Sequence, residues 1–377
     1  MGIKIPFSSG GGFEIGEVVE TAATTKGGLV LLALDGSTYL NSAFPILAGL
    51  LDAGDYQHWV PTGITANSYS DINTSGDNVI AITGASTSVQ ISTDKGVSYN
   101  AVASGSTANQ IACAVEGGIY LCSGGGSSTT PRIYRSTNGT SFSQVHTKTT
   151  GATATWNALT IDGTVAVTAG RGQAGAAFST DTGATWTDST ASIQAVAGGI
   201  WIDIDNVGAN VVAVSNDTGS KVAISSDSGQ NWVAPTTNPL NVSNICTAVA
   251  MSGTTVYIAN DLGEIAKSTN SGVDFTLLTG LPIGAGSAAA STMSFDGTVL
   301  MVGTDTPDLY TTTDDFATFD VTSQSPLTTI TRCSIESDYS VIAGASTVRR
   351  TPKTVTSFTL PNVAGNGNIR DRIGADT

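Results

Sequence analysis

The sequence predicts an all-β protein: a seven-bladed β-propeller of four-stranded antiparallel blades with a small N-terminal α+β segment. Three observations carry this. An octet recurs, as "STDKGVSY" from Ser92, "STDTGATW" from Ser179, "SSDSGQNW" from Ser225, "STNSGVDF" from Ser268 and "TTDDFATF" from Thr312, with a shorter "STNGTSF" from Ser136. The starts lie 44, 43, 46, 43 and 44 residues apart, and a degenerate seventh copy, "TPKTVTSF", begins 39 residues later at Thr351. A period of this size suits one four-stranded blade. Lastly, 44 glycines with abundant Ser and Thr, and only 12% charged residues, favour turns and strands over helices.

Each period holds the same succession of elements. An apolar stretch comes first ("CAVEGG", "ALTIDG", "WIDIDNVG", "AVAMSG"), and a tight Gly/Asp/Asn turn suited to a hairpin follows. The next strand is the most apolar ("VIAIT", "VAVTA", "VVAVS", "VYIAN"), the pattern of a strand buried on both faces between neighbouring blades. A third strand runs into the octet and a fourth leaves it. Seven such units close into a ring without long exposed edges, whereas an open solenoid needs polar capping repeats that the chain lacks. Two segments compete for the last place in the ring: "SFTLP" after Thr356 and "HWVPTG" at His58 to Gly63.

The octets resemble the Asp-box, or bacterial neuraminidase repeat, of sialidases and sortilin-type receptors. The resemblance implies a structural turn. Asp94, Asn138, Asp181, Asp227, Asn270 and Asp314 fold their side chains onto nearby backbone N–H groups. Gly96, Gly183, Gly229 and Gly272 supply the positive φ, and Tyr99, Phe142, Trp186, Trp232, Phe275 and Phe319 plug the turn from beneath. Each copy brings one carboxylate or amide to a different blade, so the octets read as hairpin staples and not as metal or catalytic sites.

Topology then separates two faces. The turns between strands one and two, and the octets between strands three and four, open on one face. The other connections open on the opposite face, and several are long: Ser123 to Arg132, Ala169 to Ala176, Asp188 to Gly199, Pro235 to Asn244 and Gly280 to Ser291. Variable loops on a rigid scaffold are where binding usually resides. Trp156, Arg171 and Trp201 fall on or near that face and are the candidate binding residues, against a plainer reading as packing tryptophans and a solvated arginine.

Composition excludes several chemistries. The net charge of −15 opposes a nucleic-acid groove or docking onto anionic lipid. The longest apolar run, Leu29 to Leu34, is too short to span a bilayer, and the amino terminus has no secretion h-region. Only His58 and His146 exist, leaving little material for a zinc site or a Ser/His/Asp triad, and no dinucleotide or phosphate-loop fingerprint occurs. A sialidase-like arginine triad is not announced either, since no arginine precedes Arg132. No catalytic residue, metal ligand or cofactor is therefore assigned. Cys113, Cys122, Cys246 and Cys333 have no CxxC spacing and read as buried small hydrophobes, without a disulfide framework.

The organisation expected is an attachment segment at 1–55, the propeller at 56–363 and a polar tail at 364–377. Within the first, "GGLVLLALDGSTYLNSAFPILAGLL" (Gly27 to Leu51) resembles the phage tail-collar module at Leu34, Asp35, Gly36, Ser37, Tyr39, Phe44, Pro45, Leu47, Ala48, Leu50 and Leu51. The family's usual Trp and Cys before the Asp-Gly are absent. The resemblance implies a phage virion protein, a tail fibre or tail-tip subunit assembled in the host cytoplasm. Its partners would be other virion tail proteins and copies of itself, and its propeller would bind a host-surface glycan or protein. A glycan-cleaving propeller hydrolase and a structural decoration or assembly protein are the alternatives.

Overall fold

In the computed structural model, residues 38–40, 60–61, 64 and 357–359 are described together with 68–352, apart from short stretches at 85, 107–108, 125–129, 150–153, 198, 284–288, 325–326, 338 and 345–346. The chain divides into two units, Gln57–Thr354 and Met1–Tyr56 with Val355–Thr377. In the second, strand Thr38–Leu40 pairs antiparallel with Ser357–Thr359. The rest of the collar-like segment and the 364–377 tail lie outside the described residues.

The larger unit is a seven-bladed propeller with antiparallel blades. Blade 1 runs from Tyr69 to Ala103, blade 2 from Gln110 to Thr147, blade 3 from Thr155 to Asp188 and blade 4 from Trp201 to Ser225. Blades 5 and 6 span Cys246 to Leu277 and Ala290 to Ser323, and blade 7 begins at Ile330. The competition for the closing place is resolved: Val60–Pro61 pairs with Arg350 and Arg349 as the outer strand of blade 7, whose other strands come from the far end of the chain. Blade 4 departs from the four-strand pattern. Its fourth strand shrinks to an Ile224↔Val233 bridge, and the chain then crosses to pair Thr237 with Asp274 of blade 5. Helix Thr190–Val196, in a stretch expected to be loop, lies beside blade 4; its Ser192 hydroxyl accepts the Trp232 amide at 2.6 Å.

The cores sit between blades, which explains the unbroken apolarity of the second strands. In blade 4, Val211 and Ala213 face blade 3 while Val212 and Val214 face blade 5. Every second strand is buried along nearly its whole length, because both of its faces meet a neighbour. The junction between blades 7 and 1 is packed like the others, with Tyr339, Val341 and Val348 against Tyr69, Ile72 and Val79.

The octets form closed turns. The Ser225 hydroxyl donates to Asp227 Oδ1 at 2.8 Å and accepts the Gly229 amide at 3.0 Å, while the Asn231 amide and side chain donate to the Asp227 carboxylate at 2.9 and 2.7 Å. The octets at Ser92, Ser179 and Thr312 repeat the pattern with a Ser or Thr in place of Asn231. At Ser268 the roles reverse, and Asn270 Nδ2 donates to the Asp274 carboxylate at 3.1 Å. Gly229 needs to be glycine twice over: its φ is +84°, and a Cβ there would meet Val167 of blade 3 at 2.9 Å.

One plug differs from expectation. In the worn octet Phe316 replaces the glycine at φ 70°, and it is Phe316, 4% exposed, that fills the junction core. Phe319, expected beneath the turn, is 43% exposed because that space is already taken.

Cations just before three octets pin neighbouring blades. Arg135 donates to the Thr182 carbonyl at 2.9 Å, Lys267 pairs with Asp315 at 2.7 Å, and Arg350 donates to the Lys95 carbonyl. Each receiving residue is the fourth of the next octet.

Two outcomes follow. Ser225→Ala strips Asp227 of a donor and leaves the buried Gly229 amide unpaired, costing about 1–3 kcal/mol in urea unfolding. A chain starting at residue 64 melts about 2–4 °C below one starting at 57, since the outer edge of blade 7 is then bare.

Candidate functional site: the central channel

The first strand of each blade lies innermost, and the seven together line a polar channel of about 390 Å³. An inner strand is also the edge of its own sheet, so its outward N–H groups need acceptors that the sheet cannot provide. At three of the seven junctions they find them on the neighbouring blade. Asp71 and Asn73 of blade 1 accept the Cys113 and Val115 amides of blade 2 at 2.8 and 3.0 Å. Asp203 and Asp205 of blade 4 accept Val249 and Met251 of blade 5 at 3.0 and 2.8 Å. Thr292 and Ser294 of blade 6 accept Cys333 and Ile335 of blade 7 at 3.2 and 3.1 Å. Each inner strand also carries a β-bulge near its start, where the register shifts before the channel-facing residue.

One cation enters this ring. Arg332 of blade 7 donates Nε to Asp71 Oδ1 at 3.2 Å and Nη2 to the Ile202 carbonyl of blade 4 at 3.3 Å, with Asp203 Oδ1 4.0 Å away. It therefore spans the bore from blade 7 to blades 1 and 4. Asp162, Glu116 and Asp205 add further acidity to the wall. Burial pushes the Asp205 carboxyl up to about 7, against the pull of the Met251 amide and with the help of nearby Asp203. Burial also raises Asp71 to about 6, although the Arg332 guanidinium and the Cys113 amide oppose it. Channel solvent reaches these groups, since the side chains of Asp71, Asp203 and Arg332 are 14, 18 and 22% exposed. Among the described residues no group of three or more His, Cys, Asp or Glu is placed to hold a metal, and no helix is long and apolar enough to cross a membrane.

The three residues singled out from sequence stand elsewhere. Trp156 is fully buried between blades 2 and 3 with Ile133 and Ala177, and Trp201 lies in the core between blades 3 and 4. As they stand, neither presents a ring to a ligand, because the same topology that starts an inner strand on the loop face drives its first aromatic into the junction. Arg171 is exposed on the loop face, ahead of the 3₁₀ turn Gly172–Ala174. A second cluster lies between blades 2 and 3. There Asp188 meets His146 at 3.3 Å and Lys148 at 3.6 Å, and the His146 ring lies 6.2 Å from Trp156 and 6.3 Å from Trp186.

Sequence reasoning missed Asp71, Asp203, Asp205 and Arg332. A signal was present in "YSDINT" and "WIDIDNV", where acidic and amide side chains alternate with apolar ones at the period of a strand. Such alternation normally marks a solvent face, and here it marks the bore.

The titration of these groups gives the protein an acid optimum. Burial alone would raise the octet carboxyl of Asp181, but the Thr185 and Ser179 hydroxyls and the Thr185 amide outweigh it and hold it at about 2. That contribution is fully present above about pH 4 and is lost as pH falls toward 2. Asp205 acts in the opposite sense: its raised value makes the folded state lose stability as pH climbs from about 4 through 7. Stability measured by urea midpoint therefore peaks near pH 4–5. Asp205→Asn flattens the alkaline limb by up to about 1.4 kcal/mol per pH unit and leaves the acid limb alone.

No family model and no curated protein matches the chain. Solved structures do. YCF48 bound to D1 peptide aligns over 78% of this chain and 96% of its own, at 16% identity and a TM-score of 0.60. YCF48 from Cyanidioschyzon merolae aligns over 78% and 98%, at 14% identity and 0.58. The GH74 xyloglucanase from Xanthomonas campestris gives 15% identity and 0.61, with 78% of this chain but only 53% of the enzyme aligned. At such identities the likeness is one of fold: the chain is a seven-bladed β-propeller built like those of YCF48 and the GH74 enzyme.

Proposed function

We propose that the chain is a binding propeller of a phage tail that engages a host-surface glycan or protein through its loop face, without chemistry. The observation that carries this reading is the inequality of the two faces. On the octet face the repeated carboxylates and amides are occupied by their own turns. The loop face carries connections that differ from blade to blade, among them the Gly172–Ala174 turn, the Thr190–Val196 helix and the crossing segment at 234–245. Recognition that must vary on a constant frame belongs there. The octets fit the Asp-box pattern, and the segment at 1–55 is the attachment segment to other tail proteins, with the chain assembling as a homo-oligomer.

The propeller of YCF48 bound to D1 peptide is a precedent for recognition by this fold. The GH74 neighbour points to the rival reading, a glycan hydrolase. Against it stands the use already made of the channel carboxylates: Asp71, Asp203 and Asp205 each accept a backbone amide of the next blade, which disfavours motion toward a substrate. A glycan array and a panel of host-surface extracts, each probed with the full chain, separate the readings. Retention without new reducing ends supports the binding head, and reducing-end release establishes the hydrolase. Arg171→Ala, at an exposed position, weakens binding by about tenfold and leaves the melting temperature unchanged.

A further inference from the structure

Blade 2 sets two of the four cysteines directly opposite each other. Cys113 on the inner strand and Cys122 on the second strand are register partners in an antiparallel pair. Opposed residues in such pairs are of two kinds: those that exchange backbone hydrogen bonds, and those whose backbone groups point away from each other. The Cys113 amide points away, donating to Asp71 of blade 1 at 2.8 Å, and the Val115 amide two residues on does the same toward Asn73. The cysteines therefore occupy a non-hydrogen-bonded site, the narrow kind, with Cα atoms about 4.5 Å apart and side chains at their closest. Disulfides accept Cα separations of about 4.4–6.8 Å.

Orientation agrees with spacing. Both side chains lie on the same face of the sheet, in the core between blades 1 and 2 beside Ile80, Ile82 and Val89. The other two thiols have no such arrangement: Cys246 faces Asn260 and Cys333 faces Ile342. All four are free and buried in this structure.

We propose that Cys113 and Cys122 form a latent disulfide site whose reaction partner is a low-molecular-weight disulfide of the glutathione type. One cysteine thiolate attacks the glutathione disulfide, forming a mixed disulfide and releasing one glutathione thiolate. The second cysteine thiolate then attacks the protein sulfur of that mixed disulfide, forming the Cys113–Cys122 bond and expelling the second glutathione. The protein pair loses two electrons and two protons, which leave on two molecules of reduced glutathione. Burial raises both thiols far above the ordinary cysteine range, so the thiolates form when the junction between blades 1 and 2 opens. Exchange then follows the opening of that junction. Once closed, the bond fixes the register of the hairpin whose inner edge docks on Asp71 and Asn73.

The test uses the full-length chain, incubated with glutathione disulfide a few degrees below its melting temperature, then acid-quenched, denatured and alkylated with iodoacetamide. The expected product carries two alkyl groups instead of four, and the single tryptic peptide containing residues 113 and 122 is about 2 Da light, a loss that dithiothreitol reverses. Cys113→Ser is expected to leave the three remaining cysteines with no bond among them. The wild-type mass decides the matter even if that variant folds poorly. Four alkylated cysteines, a glutathione adduct persisting on either residue, or a bond that includes Cys246 or Cys333 overturns the proposal.

Discussion

The propeller depends on how its inner strands satisfy their free edges. A closed ring of sheets has seven strand edges facing a common bore, and amides there left without an acceptor would be costly. At three of the seven junctions the chain answers with side chains from the adjacent blade: Asp71 and Asn73, Asp203 and Asp205, and Thr292 and Ser294 take amides from the next inner strand. These bonds tie blades together where no sheet ladder can. The charge they introduce is answered in part by Arg332, which touches the first, fourth and seventh blades. The acidity that Asp71, Asp203 and Asp205 bring to the bore is thus a by-product of edge satisfaction.

Outside the bore, the same chain uses two cheaper devices. Second strands present alternate residues to the two neighbouring blades, so small cores at the seven junctions replace one large one. Octets close the outer hairpins and, through Arg135, Lys267 and Arg350, latch onto the blade before them. The loop face carries few of these duties, which is why helix Thr190–Val196 and the crossing at Thr237 are tolerated there.

Much of this was legible in the sequence, and the exceptions have physical causes. The second strands and the octets declare themselves because their residues serve local geometry: a doubly buried strand has to be apolar, and a tight turn needs an Asp, a Gly and a plug. The channel charges were opaque because a period of two in a polar-apolar strand reads identically for bulk water and for a bore. Trp156 and Trp201 were ambiguous for a related reason, since a tryptophan at a strand start is equally suited to a rim or a junction. The Phe316 and Phe319 exchange hides in one missing glycine. Closure by Val60–Pro61 involves partners about 290 residues apart in sequence, and no local pattern selects between two short apolar strands.

That closure has a kinetic side. The ribosome makes Val60 first and its partner Arg350 roughly 290 residues later, an interval of about 15–60 s at ordinary translation speeds. Throughout it the growing array has a raw flank at each end, and the native state waits on the meeting of two remote termini, the slow kind of contact. A molecule so made benefits from protection during synthesis. Once latched, the seam holds the first-made and last-made strands of the propeller in one sheet, so the two ends of the array can no longer part without breaking that pairing.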